Sequence, residues 1–86
     1  MQISFDDEFW SFYQKLTPQV QRQADKAFER FVLNSLYPSL QFKPVKQQYA
    51  IRINRGYRAL GYMQDDTMVW DWIGPHDEYE RRVRNR

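Results

Sequence analysis

Two sets of side chains in this sequence have the types and spacing to act on an anionic ester, and the first of them is cationic. Lys43, Arg52 and Arg58 fall in a C-terminal stretch where apolar and polar residues alternate. Asn54-Arg55-Gly56 between two such runs predicts a three-residue hairpin loop with Gly56 in the left-handed position. That register sets Arg52 opposite Arg58 and Ile53 opposite Tyr57, and it lines up Lys43, Arg52 and Arg58 in one row across three adjacent strands. Like charges opposed on a sheet repel. Such a row either threads carboxylates between its members or holds the face for an anionic ligand, with phosphate the natural candidate. Asp71 is the carboxylate expected diagonally across from Arg58, so an Arg58–Asp71 ion pair on a solvated face is the structural alternative.

The second set is His76, the single histidine of the chain, and Tyr79. The last strand runs back beside Arg58, and the turn after Gly74-Pro75 delivers both residues near that arginine. A His, an Arg and a Tyr on one spot are the parts that metal-free cleavage of RNA requires. A base takes the proton from the ribose 2′-hydroxyl, an acid protonates the leaving 5′-oxygen, and cations stabilise charge building on the phosphorus oxygens. Histidine is the side chain that titrates near neutrality. Tyr79 would donate a proton or stack on a base, while Arg58, Arg52 and Lys43 would hold the phosphate. Two packing roles stay open beside these: His76 as a helix-start residue bonded to backbone, and Tyr79 as an anchor of the terminal helix on Trp72.

Other chemistries find less support. One histidine and no cysteine argue against zinc, and there is no calcium-loop pattern, glycine-rich phosphate loop or Gly-x-Ser-x-Gly elbow. No metal and no cofactor are expected. Trp70 and Trp72, two apart on a strand, have the look of a base-stacking platform, but the register points both into the core.

The elements that must position these residues follow from periodicity. Met1 to Phe5 reads as a short strand. Asp6, Asp7 and Glu8 then start a helix running to about Leu16, with Phe9, Phe12, Tyr13 and Leu16 on its apolar side. Thr17-Pro18 offers an N-cap and first-turn proline for a second helix to about Leu33, striped by Val20, Ala24, Ala27, Phe28 and Phe31. Asn34 to Leu40 reads as a turn. Four strands follow, at Gln41 to Lys46, Tyr49 to Asn54, Tyr57 to Gln64 and Thr67 to Ile73, with Asp65-Asp66 as a two-residue turn. Tyr49, Ile51, Ile53, Tyr57, Ala59, Met63, Met68, Trp70 and Trp72 should share the face that the helices cover. His76 to Arg84 reads as a short terminal helix. The expected fold is α+β: two N-terminal helices on one face of a small, mainly antiparallel sheet of four to five strands, with a short C-terminal helix.

Composition bounds the rest. A chain of 86 residues with 42% hydrophobic and 17% aromatic content has material for one core, so a single domain over residues 1–86 is expected. The absence of cysteine fits a reducing compartment, and no apolar stretch reaches the ~20 residues needed to span a bilayer. A cytoplasmic protein without a membrane partner is expected. Net charge is +2 but uneven: residues 1–40 carry four Lys/Arg against five Asp/Glu, and residues 41–86 carry nine against six. The basic half favours a polyanionic or acidic partner.

The order of helix pair and antiparallel sheet, with Tyr57-Arg58-Ala59-Leu60 on the middle strand and Trp72-Ile73-Gly74-Pro75-His76-Asp77-Glu78-Tyr79 after the last, resembles the RelE/ParE superfamily of type II toxins. Pro38-Ser39-Leu40 leading to Phe42-Lys43 is similar to that family's entry to its sheet. The resemblance covers nearly the whole chain. It implies a toxin encoded beside an antitoxin, one whose relatives mostly cleave messenger RNA on the ribosome and in a minority poison DNA gyrase without catalysis. By position, Arg58 matches the arginine that stabilises the transition state. His76 and Tyr79 match C-terminal acid, base or stacking residues, and Lys43, Lys46 and Arg52 match basic phosphate contacts. Asp77, Glu78 and Glu80 put negative charge beside these groups, with Glu78 an alternative base. The implied partners are a cognate antitoxin, which would cover Arg52 and Arg58 or displace His76 to Arg84, and messenger RNA with the ribosome. DNA gyrase, or a non-toxic member that only binds a partner, are the alternatives.

Overall fold

Local signals start both N-terminal helices. Residues 1–85 are described by the computed structural model, in which strand β1 (Gln2–Phe5) leads into helix α1 (Asp7–Tyr13). The Asp6 carboxylate caps α1 by accepting from the Glu8 amide at 3.0 Å. Helix α2 (Pro18–Leu33) is capped by Thr17, whose Oγ1 accepts from the Val20 amide at 3.3 Å. Pro18 excludes helical geometry from the residue before it, and Thr17 is extended with ψ at 156°. Helix α1 stops at Tyr13 instead of reaching Leu16, because after Gln14 the amides of Lys15 and Leu16 bond three residues back instead of four. Leu16 still enters the core from a tight turn in which its amide bonds to the Tyr13 carbonyl at 3.0 Å.

After a single 3-10 turn at Pro38–Leu40 come strands β2 (Lys43–Val45), β3 (Gln48–Asn54), β4 (Tyr57–Gln64) and β5 (Thr67–Pro75), and then helix α3 (His76–Arg84). The sheet order is β1-β5-β4-β3-β2, antiparallel except for β1, which lies parallel to β5. Strand β2 is three residues shorter than expected because left-handed backbone at Gln41 (φ 46°) and Lys46 (φ 57°) brackets it. Among the described residues no helix is long and apolar enough to cross a membrane.

Two irregularities decide which side chains share a face. Arg52 does pair with Arg58, but Asn54, not Ile53, pairs with Tyr57. Ile53 is therefore a bulge residue, the connection shrinks to Arg55-Gly56, and Gly56 does not adopt positive φ. The second bulge lies in β5, where Leu60 pairs with Trp72 and Gly61 with Trp70, leaving Asp71 as the extra residue. An extra residue reverses the alternation beyond it. Trp70 consequently points to the α1/α2 side with Ile51, Ala59, Met68 and Ile73, whereas Trp72 points to the other side with Ala50, Leu60 and Tyr79. Placement of both tryptophans on one face thus fails for Trp72, and Met63 is 38% exposed beyond the reach of the helices. The sheet is covered on both faces, by α1 and α2 on one and by α3 on part of the other.

Candidate phosphodiester site

The bulge at Asp71 builds the platform on which the site stands. It delivers Trp72 to the second face, where Trp72, Leu60 and Ala50 form the floor for Tyr79 of α3. Gly74, opposite Arg58, has no room for a side chain because a Cβ there would meet the Trp72 ring at 2.6 Å. Helix α3 is held on this floor at both ends. At its start the His76 amide donates to the Gly56 carbonyl at 2.8 Å, and further along the Arg82 guanidinium lies 5.1 Å from the Trp72 ring centre and 5.3 Å from that of Phe12.

Between α3 and the exposed end of β3 and β4 lies a cleft of about 60 Å³, lined by Gln41, Lys43, Arg52, Arg58, His76 and Tyr79 over a base of Ala50 and Ile51. Four elements, β2, β3, β4 and α3, thus bring five of the expected site residues together. Arg52 and Arg58 are direct cross-strand partners, while Lys43 pairs with Ala50 and so stands diagonally from Arg52 instead of in a straight row. Arg58 is fixed by its Nη1, which donates to the carbonyls of Asn54 at 2.7 Å, Tyr57 at 2.9 Å and Arg55 at 3.3 Å. These bonds orient the guanidinium, and among the described residues its Nε and Nη2 have no hydrogen-bond partner. Lys43, Arg52 and Arg58 have no carboxylate at ion-pair distance among the described residues. The expected Arg58–Asp71 pair does not form, since the bulge carries Asp71 down the strand to the level of Leu60 and Gly61.

Electrostatics follow from this crowding. Burial, and then the charge of Arg52, hold the Arg58 guanidinium below the usual arginine range, with Tyr79 opposing. Burial raises the Tyr79 hydroxyl above the usual tyrosine range; Arg58 opposes that rise and Glu80 adds to it. Tyr79 is therefore a phenol at neutral pH, a donor and not an anion. The residue is 8% exposed and packed in one cluster with Trp72, so its ring is part of the core and not an open stacking face. His76 sits 5.6 Å from the Tyr79 ring, centre to centre, and its Nδ1 lies 3.0 Å from Glu80 Oε1.

Two expected residues stand elsewhere. Lys46, in the β2–β3 turn, directs its Nζ to the Arg84 carbonyl at the end of α3 at 3.4 Å. Glu78 lies on the far side of α3 and lines other hollows, one with Phe12, Lys15 and Leu16 and one with Arg81, Arg82 and Asn85. Helical spacing explains the split, because His76, Tyr79, Glu80 and Val83 share one side of α3 and Glu78, Arg82 and Asn85 another. Sequence reasoning missed Gln41, whose left-handed backbone places it at the cleft, whereas the anchoring of Tyr79 on Trp72 offered by the sequence is found. No residue pattern flags a glutamine for positive φ. Among the described residues no group of three or more His, Asp or Glu side chains converges.

Comparison with known proteins fits this fold. The family model described as a ParE-like toxin domain matches residues 18–81. Among solved structures, the chain is similar to a chain of the RelB–RelE antitoxin–toxin complex from Methanococcus jannaschii, with TM-score 0.72 and 18% identity over 91% of this chain and 95% of that one. It is also similar to YafQ from E. coli (TM-score 0.67, 10% identity, 91% and 96% covered) and to a chain of the YoeB–YefM complex from Staphylococcus aureus (0.66, 17%, 88% and 97%). At these identities the likeness shows a common fold. No curated protein matches the sequence significantly.

Proposed function

The chain belongs to the ParE-like toxin family, and from that premise we propose that it is the toxin of a type II toxin–antitoxin pair, a metal-independent endoribonuclease that cuts messenger RNA on the ribosome. The observation that carries this reading is the cleft in which an oriented arginine, two further cations, a histidine and a protonated tyrosine meet. Its volume of about 60 Å³ is well below the ~300 Å³ at which pockets for whole small molecules begin. That size supports a phosphate group, and not a whole nucleoside, as the occupant of the cleft.

In this reading Arg58, with Arg52 and Lys43, holds the non-bridging oxygens and stabilises the charge that grows on them. His76 takes the 2′-hydroxyl proton, the 2′-oxygen attacks phosphorus, and the 5′-oxygen leaves with a proton donated by the Tyr79 phenol. The products are a 2′,3′-cyclic phosphate and a 5′-hydroxyl end. Lys46, at the rim of the sheet, extends the contact to a neighbouring phosphate. A cognate antitoxin, as the RelB and YefM chains are in the complexes named above, would silence the protein by covering Arg52 and Arg58 or lifting α3. The site of action is the cytoplasm.

Controlled expression of this chain without an antitoxin tests the reading. Growth should arrest with translation failing before DNA synthesis, and Arg58→Ala and His76→Ala should each remove the arrest while the variants stay folded by circular dichroism. Full toxicity of both variants would discard the site. Failure of DNA synthesis first, with His76 dispensable, would replace ribonuclease action by inhibition of gyrase, and absence of any arrest would leave a binding module.

A further inference from the structure

Glu80 lies outside the cleft, yet its carboxylate contacts the histidine that lines it. His76 and Glu80 stand one helical turn apart on the same side of α3, with Nδ1 and Oε1 separated by 3.0 Å. A carboxylate is only an acceptor, so in the neutral imidazole this contact requires the proton on Nδ1 and leaves the lone pair on Nε2. The backbone of His76 is fixed independently by its amide bond to Gly56. What remains to be set is the ring's rotation and tautomer, and the described residues give the ring one polar partner, Glu80.

We propose that Glu80 is the positioning residue of the site: its carboxylate selects the Nδ1–H tautomer of His76 and turns Nε2, as lone-pair nitrogen, toward the phosphate held by Arg58. The arrangement follows the logic by which a carboxylate orients the general-base histidine in hydrolytic triads. It also assigns a use to negative charge next to a phosphate site, where a carboxylate would otherwise oppose the ligand. The charges facing His76 are Arg58 and Arg52 across the cleft, the Tyr79 phenol on its own helix and Glu80 itself. All but Glu80 are donors in their neutral-pH forms or lack an ionised acceptor, so none can replace it as partner for Nδ1–H. Asp77 and Glu78, the adjacent acids, are exposed one and two residues on, outside the helical spacing that reaches back to His76.

The role of His76 as base rests on the function proposed above; the tautomer does not, and the two can fail separately. As the chain has one histidine, its ring nitrogens give an unambiguous nitrogen-15 spectrum. In the wild-type protein the neutral ring should show the Nδ1–H pattern, Glu80→Ala should revert it to the Nε2–H form usual for a free imidazole, and Glu80→Gln, which keeps a carbonyl acceptor, should retain Nδ1–H. An Nε2–H ring in the wild type, or one unchanged in Glu80→Ala, overturns the proposal whatever the protein's activity. In an RNA-cleavage assay Glu80→Ala should lower kcat about tenfold, part of the ~10²–10⁴-fold that proton transfer contributes, at nearly constant KM, and Glu80→Gln should restore most of it. A loss confined to KM, or a Gln variant as impaired as Ala, would also overturn it.

Discussion

Replacing Arg52 by methionine should make the protein more stable and less able to bind RNA, and the size of both effects follows from the sheet. Arg52 faces Arg58 across β3 and β4, where paired Cα atoms lie ~4.5–5.5 Å apart. Two unit charges ~6 Å apart in a water-like dielectric repel by ~0.7 kcal/mol, in line with the ~0.2–1 kcal/mol typical of cross-strand pairs. The repulsion registers on Arg58 as one of the causes that lower its proton affinity. Methionine keeps the apolar stem and removes the charge, so Arg52→Met should gain ~0.5 kcal/mol at low salt, or ~2–4 °C in Tm for a domain of this size. At 1 M salt, where the screening length is ~3 Å, the gain should vanish. Thermal unfolding by circular dichroism at low and high salt reads the effect, with Arg52→Lys as the charge-keeping control that gains nothing. The same substitution should weaken binding of single-stranded RNA and flatten the dependence of log affinity on log salt by ~0.7, one phosphate contact. A Met variant no more stable than wild type at low salt, or a gain that survives 1 M salt, would refute the claim that this face carries uncompensated charge.

Three further outcomes are expected. Gly61→Ala should cost ~1–3 kcal/mol by overpacking, since its Cβ would lie 2.5 Å from the Val69 carbonyl oxygen and 2.8 Å from the Trp70 ring; a denaturant midpoint equal to wild type would contradict it. Tyr13 donates to Asp25 at 2.8 Å, and burial, then that bond and the Asp25 charge, push its pKa from 10.0 up to about 12. Folding thus favours the neutral phenol, so the stability Tyr13 adds is complete below pH 10 and lost as pH rises through about 12; the difference in denaturant midpoint between wild type and Tyr13→Phe should shrink across that window, and a difference independent of pH would count against it. Arg82→Ala removes a cation from over Phe12 and Trp72, a contact worth ~0.5–2 kcal/mol, and should speed hydrogen exchange of the α3 amides more than those of α2.

The sequence carried most of the scaffold because its punctuation is chemical. Thr17-Pro18 stops one helix and caps the next, Asp65-Asp66 forms the two-residue turn that joins Gln64 to Thr67, and Arg52 faces Arg58 as the hairpin rule requires. What period-two reading cannot supply is a residue that leaves the ladder. Bulges at Ile53 and Asp71 change no local propensity, yet they moved Tyr57's partner by one residue and sent Trp72 to the opposite face from Trp70. The same slip dissolved the expected Arg58–Asp71 pair and supplied the floor beneath α3. Within α3, spacing alone separates Glu80, which touches His76, from Glu78, which does not reach it among the described contacts. Reading that helix by face instead of by proximity in sequence would have found it.

The chemistry of the cut ends tests the central claim most directly. Messenger RNA in a translating cell-free extract would be exposed to the purified chain and the new ends typed for 5′-hydroxyl against 5′-phosphate. Attack by the 2′-hydroxyl at the Arg58–His76 cleft requires 5′-hydroxyl ends opposite 2′,3′-cyclic phosphates, absent with His76→Ala. New ends bearing 5′-phosphate, or the same cuts made by the His76 variant, would contradict it.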